Sequence, residues 1–299
     1  MRNLDLENLT DLNCYHVCTN GNDSPTLMKE PEDYIVANNY LAIVTWKLKI
    51  TLLAFCLMSN HVHFLIACRN RMEAEKFIRL FKRLFSTYLR NKYGTENILH
   101  NTKDSISLID SIQYLRNCIA YILRNPLCAR ICSKLEDYQW SSYSCYFRSG
   151  HDTDGIPIST IGVRERRKIL RTREDLCTCP YMIHNGIISA RSFVRHDIVE
   201  KAFYNSGRSF LSHLGTCNDA KMEYEMTYKP LISVKDEELA CIAEQISSSR
   251  FNGKGISDLT SSEKCSMLKK IYFNNKTSIP QLSRILGLPR ELVNKILSS

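Results

Sequence analysis

Polar and apolar positions alternate along NCYHVCT (13–19), which predicts a first β-strand closed by the polar turn TNGND. From Glu30 to Lys47 the apolar residues Ile35, Val36, Tyr40, Leu41 and Val44 return at helical spacing. Pro31 falls in the first turn, where its missing N–H costs nothing. ITLLAFCLM (50–58) is apolar throughout and predicts a buried strand, Ser59-Asn60 a short turn, and HVHFLIA (61–67) the strand paired with it. A long helix is expected over about 73–92, with Phe77, Leu80, Phe81, Leu84, Phe85 and Tyr88 on one face and Lys76, Arg79, Lys82, Arg83, Arg90 and Lys92 on the other. A further helix is expected over 107–125, its core stripe Leu108, Ile112, Leu115, Ile119 and Ile122, ended by Pro126.

This order of elements predicts an α+β sandwich, an antiparallel sheet covered by helices on one face. From about Gly150 to Asn185 the chain turns polar (HDTDG, RERRK), as a connector would, and IISARSFVRHDIVEKAFY begins a second helical region. Residues 278–297 read as helix, tight turn at Gly287 and second helix, the spacing of a helix-turn-helix. The expected organisation is a first domain over 1–150, a connector and helical extension over 151–225, and an all-α C-terminal module over 226–299.

Forty Lys plus Arg against 31 Asp plus Glu, a net charge of +9 over 299 residues, suit a polyanionic partner. The N-terminus has no apolar signal-peptide core, and no apolar run approaches the roughly 18 residues needed to span a bilayer. The 13 cysteines, scattered and without a C-x-x-C pair, fit reduced thiols in a cytoplasm. Cys177 and Cys179 make only half a zinc site, and are expected to be structural.

Two segments can carry chemistry. In a strand, His61 and His63 project to the same face about 6.5–7 Å apart, where two imidazoles can share one divalent ion. Two histidines with ordinary hydrogen bonds on a polar sheet face satisfy the same spacing. On the helix before Pro126, Tyr114, Cys118, Tyr121 and Asn125 follow spacings of four, three and four and form a stripe beside the core. Tyr121 and Asn125 set a phenol next to an amide oxygen, as metal-dependent phosphoryl transfer requires; a half-buried tyrosine and a helix-ending asparagine are the plainer alternative. His16, between Cys14 and Cys18 on its own strand face, is read as a satisfied sheet histidine rather than a zinc ligand.

Taken together, LMSNHVHFLI resembles the histidine strand of the single-tyrosine HUH transposases. YLRNCIAYILRNPLCARI followed by DYQWSSY resembles the tyrosine helix of their branch associated with repetitive extragenic palindromes, and YHVCTNGND that branch's first strand and turn. These segments stand in the family's order across residues 13–147, about half the chain. The resemblance implies a ferredoxin-like antiparallel sheet with helices on one face, metal ligands His61, His63 and Asn125, and Tyr121 as nucleophile. Tyr114 is the competing tyrosine but lacks the Y-x-x-x-N-P context. Asn20 stands where the family often has arginine, Ser59 replaces a common proline, and TENILHNTKD (95–104) lacks the usual Gly-aromatic-Gln-Arg pattern.

The implied activity is a metal-dependent single-strand DNA endonuclease and strand transferase acting near hairpins through a covalent 5′-phosphotyrosine. A neutral phenol, with a pKa of about 10, is a poor nucleophile near neutrality, so a divalent ion (Mg²⁺ or Mn²⁺, the nitrogen ligands favouring Mn²⁺) is expected to polarise the phosphate. Lys82, Arg83 and Arg124 are candidate phosphate contacts. In the C-terminal module Arg290, Asn294 and Lys295 share a helix face that suits duplex DNA, unless the module is a plain cap burying Leu288, Leu292 and Ile296. The same resemblance allows a homodimer or a monomer, since relatives of both kinds occur, and implies a bacterial, cytoplasmic protein, nucleoid-associated when bound to DNA. The rivals are a domesticated hairpin-binding regulator that no longer cuts, a replication initiator or relaxase, and an RNA-binding ferredoxin-like module, which would leave His61, His63, Tyr121 and Asn125 unexplained.

Overall fold

In the computed structural model, which describes residues 12–19, 26–94, 99, 102, 104–148, 155–217, 236–275 and 279–298, the chain divides into two compact units, 1–222 and 223–299. The turn at 20–25 and most of 95–103, on which the reading of Asn20 and the missing Gly-aromatic-Gln-Arg pattern rests, lie outside the described residues.

The first unit is built on strands β1 (Asn13–Thr19), β2 (Thr51–Leu57), β3 (Val62–Cys68) and β4 (Asp104–Ile109), antiparallel in the order β2-β3-β1-β4. His16 lies opposite Leu65 and Cys18 opposite His63. Side chains alternate across a strand, so Cys14, His16, Cys18 and His63 share one face while Val17, Phe64 and Ile66 share the other. Helices α1 (Pro31–Leu48) and α2 (Arg71–Tyr93) cover the second face, where the Phe64 ring meets Phe77 and Phe81 with centroids 5.5 and 5.0 Å apart and α1 packs along α2. Helix α3 (Ile112–Cys128) covers the first face, its Tyr121 ring set against His16 and His63.

Helices on one face only was therefore the wrong expectation. All seven residues of β3 are buried, and a strand apolar on both sides cannot leave one side to water. A second correction concerns residues 104–109, where the expected helix start is the edge strand β4 and α3 begins at Ile112. Pro126 does not end that helix either. Its ring is buried and its missing N–H removes one hydrogen bond, while Ala129 N–H reaches the Asn125 carbonyl at 2.9 Å and carries the last turn to Cys128.

The outer edge of β2 is closed by the DYQWSSY segment. Leu57 N–H donates to the Trp140 carbonyl (2.9 Å), Ser142 N–H to the Phe55 carbonyl (3.0 Å), and Tyr138 Oη to the Leu57 carbonyl (2.6 Å). Trp140 stacks on Tyr34 of α1 at 5.0 Å. The expected connector is a packed extension of this unit. Strands β5 (Ile156–Pro157), β6 (Met182–His184) and β7 (Ile187–Ile188) form a small sheet, followed by α5 (Ala190–Phe193), α6 (His196–Ala202) and α7 (Gly207–Thr216). Buried Asn38 and Asn39 of α1 donate to the carbonyls of Ile188 and Gly186, both at 2.8 Å. The polar RERRK segment is α4 (Val163–Leu170), which buries Arg166 and Leu170 and leaves Arg164, Arg167 and Lys168 exposed.

In the second unit α8 (Asp236–Arg250), α9 (Ser261–Asn275), α10 (Ile279–Leu286) and α11 (Arg290–Ser298) close around Leu239, Ala243, Leu268, Ile271, Leu282 and Val293. Gly287, at φ +64°, supplies the left-handed residue between α10 and α11. Leu288 is buried, and Leu292 and Ile296 pack partly against the same core.

Candidate active site

His61 and His63 bracket the first residue of β3, and their rings meet edge to face with centroids 4.9 Å apart. His61 is fixed by its neighbour: its Nδ1 lies 2.7 Å from the Asn60 side-chain oxygen. An oxygen there accepts, so the proton sits on Nδ1 and the lone pair on Nε2, the tautomer a metal ligand needs. The Val62 N–H donates to Thr19 Oγ1 at 3.2 Å, tying the start of β3 to the end of β1.

His63 is buried, and its Nδ1 faces the Nε2 of equally buried His16 at 3.1 Å in stacked rings. Its other nitrogen, Nε2, is buried without a hydrogen-bond partner among the described residues. Burial pushes the pKa of all three imidazoles down, that of His16 to about 3. For His63 the neighbouring rings of His16 and His61 add to the effect. The rings are neutral near neutrality and carry lone pairs.

Helix α3 brings the other two groups. Ser111 caps it, its hydroxyl accepting from Tyr114 N–H at 3.2 Å, and Leu115, Ile119, Ile122 and Leu123 are fully buried, which sets the helix's rotation. That rotation buries Tyr114 and leaves Tyr121 half-buried, its ring edge-on to His63 at 5.5 Å and to His16 at 6.2 Å. Asn125 donates its amide N–H to the Tyr121 carbonyl at 2.9 Å. The Asn125 side chain also acts on His61 and His63, favouring their protonated forms. The four residues expected from the sequence are therefore brought together, and Tyr121 rather than Tyr114 stands at the imidazoles.

Whether a metal fits can be judged from the donors. Two neutral imidazoles stand beside an amide side chain, and the orphaned His63 Nε2 is a buried polar atom that costs about 1–3 kcal/mol unless something engages it. The donor set suits a divalent first-row ion better than an all-oxygen shell would.

The candidate phosphate contacts lie elsewhere. Arg124 donates to the Leu214 carbonyl at 2.7 Å, tying α3 to α7. Lys82 is buried and bonds the Thr102 carbonyl (2.8 Å) and Asp104 (2.9 Å). It lines a basic groove with Arg79, Arg83 and Arg90, across the sheet from Tyr121. Arg290 and Lys295 are exposed on α11, while the Asn294 side chain lies outside the described residues. Cys179 is buried and Cys177 accepts from Arg166 at 3.1 Å. Asn60 and His16 are the site residues that sequence reasoning missed or set aside. The Asn60 contact carries no signal beyond adjacency, and that of His16 depends on strand register.

Residues 12–105, just under a third of the chain, match the family model described as "Transposase IS200 like". The resemblance to the single-tyrosine transposases is thereby shown over a segment that contains both histidines and stops before Tyr121. Among solved structures, that of a REP-associated tyrosine transposase bound to a REP hairpin is 14% identical, over 45% of this chain and 78% of that one, with a TM-score of 0.37. No curated protein matches the chain. No helix among the described residues is long and apolar enough to cross a membrane.

Proposed function

We propose that the chain is a metal-dependent endonuclease and strand transferase for single-stranded DNA near hairpins, with Tyr121 as nucleophile. The observation that carries this reading is the approach of Tyr121 to His63, ring centroids 5.5 Å apart, with the Asn125 side chain close enough to act on both His61 and His63. A divalent ion held by His61, His63 and Asn125 would supply positive charge at the non-bridging oxygens of the scissile phosphate.

The protein's part is orientation. Asn60 holds His61 in one tautomer, His16 holds the His63 ring, and the Asn125 amide is fixed by its bond to the Tyr121 carbonyl. Tyr121 Oη attacks phosphorus, the bond to the 3′ oxygen breaks, and the phenolic proton is lost as the 3′ oxygen leaves as a hydroxyl. The product is a 5′-phosphotyrosine. Because a phosphodiester has only been exchanged for another, a second 3′-hydroxyl can attack it, join the strands and restore the phenol without ATP.

Labelled hairpin oligonucleotides incubated with the protein and Mn²⁺ or Mg²⁺, then run on a denaturing gel, test this. A covalent band that is lost in Tyr121→Phe and in EDTA is expected. Hairpin binding with no adduct in any metal would instead identify a silent regulator built on the same fold. For the second unit the corresponding reading is duplex contact through Arg290, Asn294 and Lys295 of α11.

A further inference from the structure

The strand register gathers His63 and its neighbour His16 with Cys18, a thiol that the proposed chemistry does not use. Cys18 of β1 lies directly opposite His63 of β3, and His16, two residues earlier, shares the same face of the sheet. The Nε2 of His16 and the Nδ1 of His63 stand 3.1 Å apart, and each residue of the set His16, Cys18 and His63 offers a ligand atom within 4.8 Å of the others. Two imidazole nitrogens on one tetrahedral zinc ion, each at about 2.0–2.1 Å, stand roughly 3.3 Å apart, so the separation already fits, while the rings, which face head-on with centroids 5.3 Å apart, must turn to aim both lone pairs at one ion. Two nitrogens and one sulfur make a thiophilic donor set, unlike the two nitrogens and an amide oxygen on the other side of the His63 ring.

We propose that His16, Cys18 and His63 form a second metal site, selective for Zn²⁺, that takes His63 away from the proposed active site. A neutral imidazole has one lone pair. When Nδ1 binds Zn²⁺ the ring proton must sit on Nε2, the atom that faces Asn125 and Tyr121, and His63 can no longer serve an ion held by His61 and Asn125. Binding exchanges the Cys18 S–H bond for S–Zn, the proton passing to solvent, and no electrons are transferred. Burial, with Asp104 nearby, otherwise keeps this thiol protonated. The zinc site itself is independent of the proposed cleavage chemistry; only its inhibitory consequence rests on that reading.

The test uses the full-length protein without DNA. Co²⁺, which reports ligand type by its absorption, is added substoichiometrically and then displaced with Zn²⁺. Wild type is expected to show a thiolate-to-cobalt charge-transfer band that Zn²⁺ removes. Cys18→Ser and His16→Gln should lose the band, and His61→Ala and Asn125→Ala should keep it. No band in wild type, or a band that survives Cys18→Ser, overturns the proposal. X-ray absorption of Zn²⁺-loaded wild type needs no variant: one sulfur with two imidazoles supports the site, and a shell without sulfur removes it. With the site established, Zn²⁺ should suppress Mn²⁺-supported adduct formation in wild type and not in Cys18→Ser; suppression in both would sink the inhibitory role while leaving the site.

Discussion

At the residue scale the largest effects come from polar groups that burial makes dependent on one partner. Asn125 is one. It bonds the Tyr121 backbone at 2.9 Å and its side chain acts on both imidazoles, so Asn125→Ala, which removes a proposed ligand, should weaken Mn²⁺ binding on the order of 10-fold. Asn125→Asp, which keeps an oxygen in place, should retain it; equal loss in both by calorimetry would remove Asn125 from the ligand set. Asp33 is another. It is fully buried and accepts from Lys92 and Tyr88 (2.8 Å each), Tyr93 (2.9 Å) and the Lys29 N–H (2.8 Å). Burial alone raises its pKa, and the hydrogen bonds, that from Lys92 first, outweigh it, so the carboxyl titrates below its ordinary value. The folded pKa is then below the unfolded one, and the network stabilises above the unfolded value of about 3.9 and is lost as pH falls through the folded value. Lys92→Met leaves this charge buried without its cation and should cost about 3 kcal/mol at neutral pH. Urea titrations should show the gap to wild type shrinking as the pH falls toward the depressed folded pKa of Asp33, where its carboxyl takes a proton in both proteins. A gap that does not change with pH would show that the loss is one of packing.

At the scale of elements, the sequence is most legible where one period dominates. Strands β1 to β3 and helices α1 and α2 stand within a few residues of their expected positions, because alternation and a wide apolar stripe leave no competing assignment. The region after Gly94 is where periods collide. Leu108 is four residues before Ile112 and two after Ile106, so it fits a helix stripe and a strand face equally well. The structure resolves it into β4, with Leu108 43% exposed and no part of the α3 core. Tertiary pairing with β1 decides this, and pairing is invisible to local pattern. The site divides in the same way. Spacings within single elements single out His61 with His63 and Tyr121 with Asn125, and the family resemblance is what joins the two pairs into one candidate site. The approach of His16 to His63 joins residues 47 apart through the β1–β3 register and could not be read. Because α3 carries both Tyr121 and Asn125, its first turn matters. Ser111→Ala removes the cap on Tyr114 N–H and should cost about 1 kcal/mol in thermal or urea unfolding. A variant as stable as wild type would mean that core packing alone sets the helix start.

At the scale of the whole molecule the question is where the net charge of +9 is spent. Each unit offers an answer that can be tested separately. In the second unit, Arg290→Ala with Lys295→Ala should weaken duplex binding in gel-shift titrations while adduct formation on hairpin oligonucleotides is unchanged; an unaltered duplex affinity would leave α11 as a cap over the Leu282 and Val293 core. In the first unit, Arg79, Arg83 and Arg90 follow one another along α2, separated by Ser86 and Thr87, and line a single groove. Lys82 in that groove is already committed to Asp104 at 2.9 Å, which leaves the three arginines as its outward charge. Spacings of four and seven residues on a helix put these guanidinium groups roughly 6 and 10 Å apart along its axis, comparable to phosphate repeats in a nucleic-acid strand. The groove lies across the sheet from Tyr121, so DNA held there is gripped away from the scissile phosphate. Alanine at all three positions should therefore weaken single-strand or hairpin binding and flatten its salt dependence. The slope of log K against log salt should fall by about 0.7 for each phosphate that is no longer neutralised. Mn²⁺ binding, which we propose for the opposite face, should not change. If affinity falls with no change in slope, the arginines act on the fold of α2 and not on phosphate; if neither changes, the positive charge that meets DNA lies elsewhere on the protein.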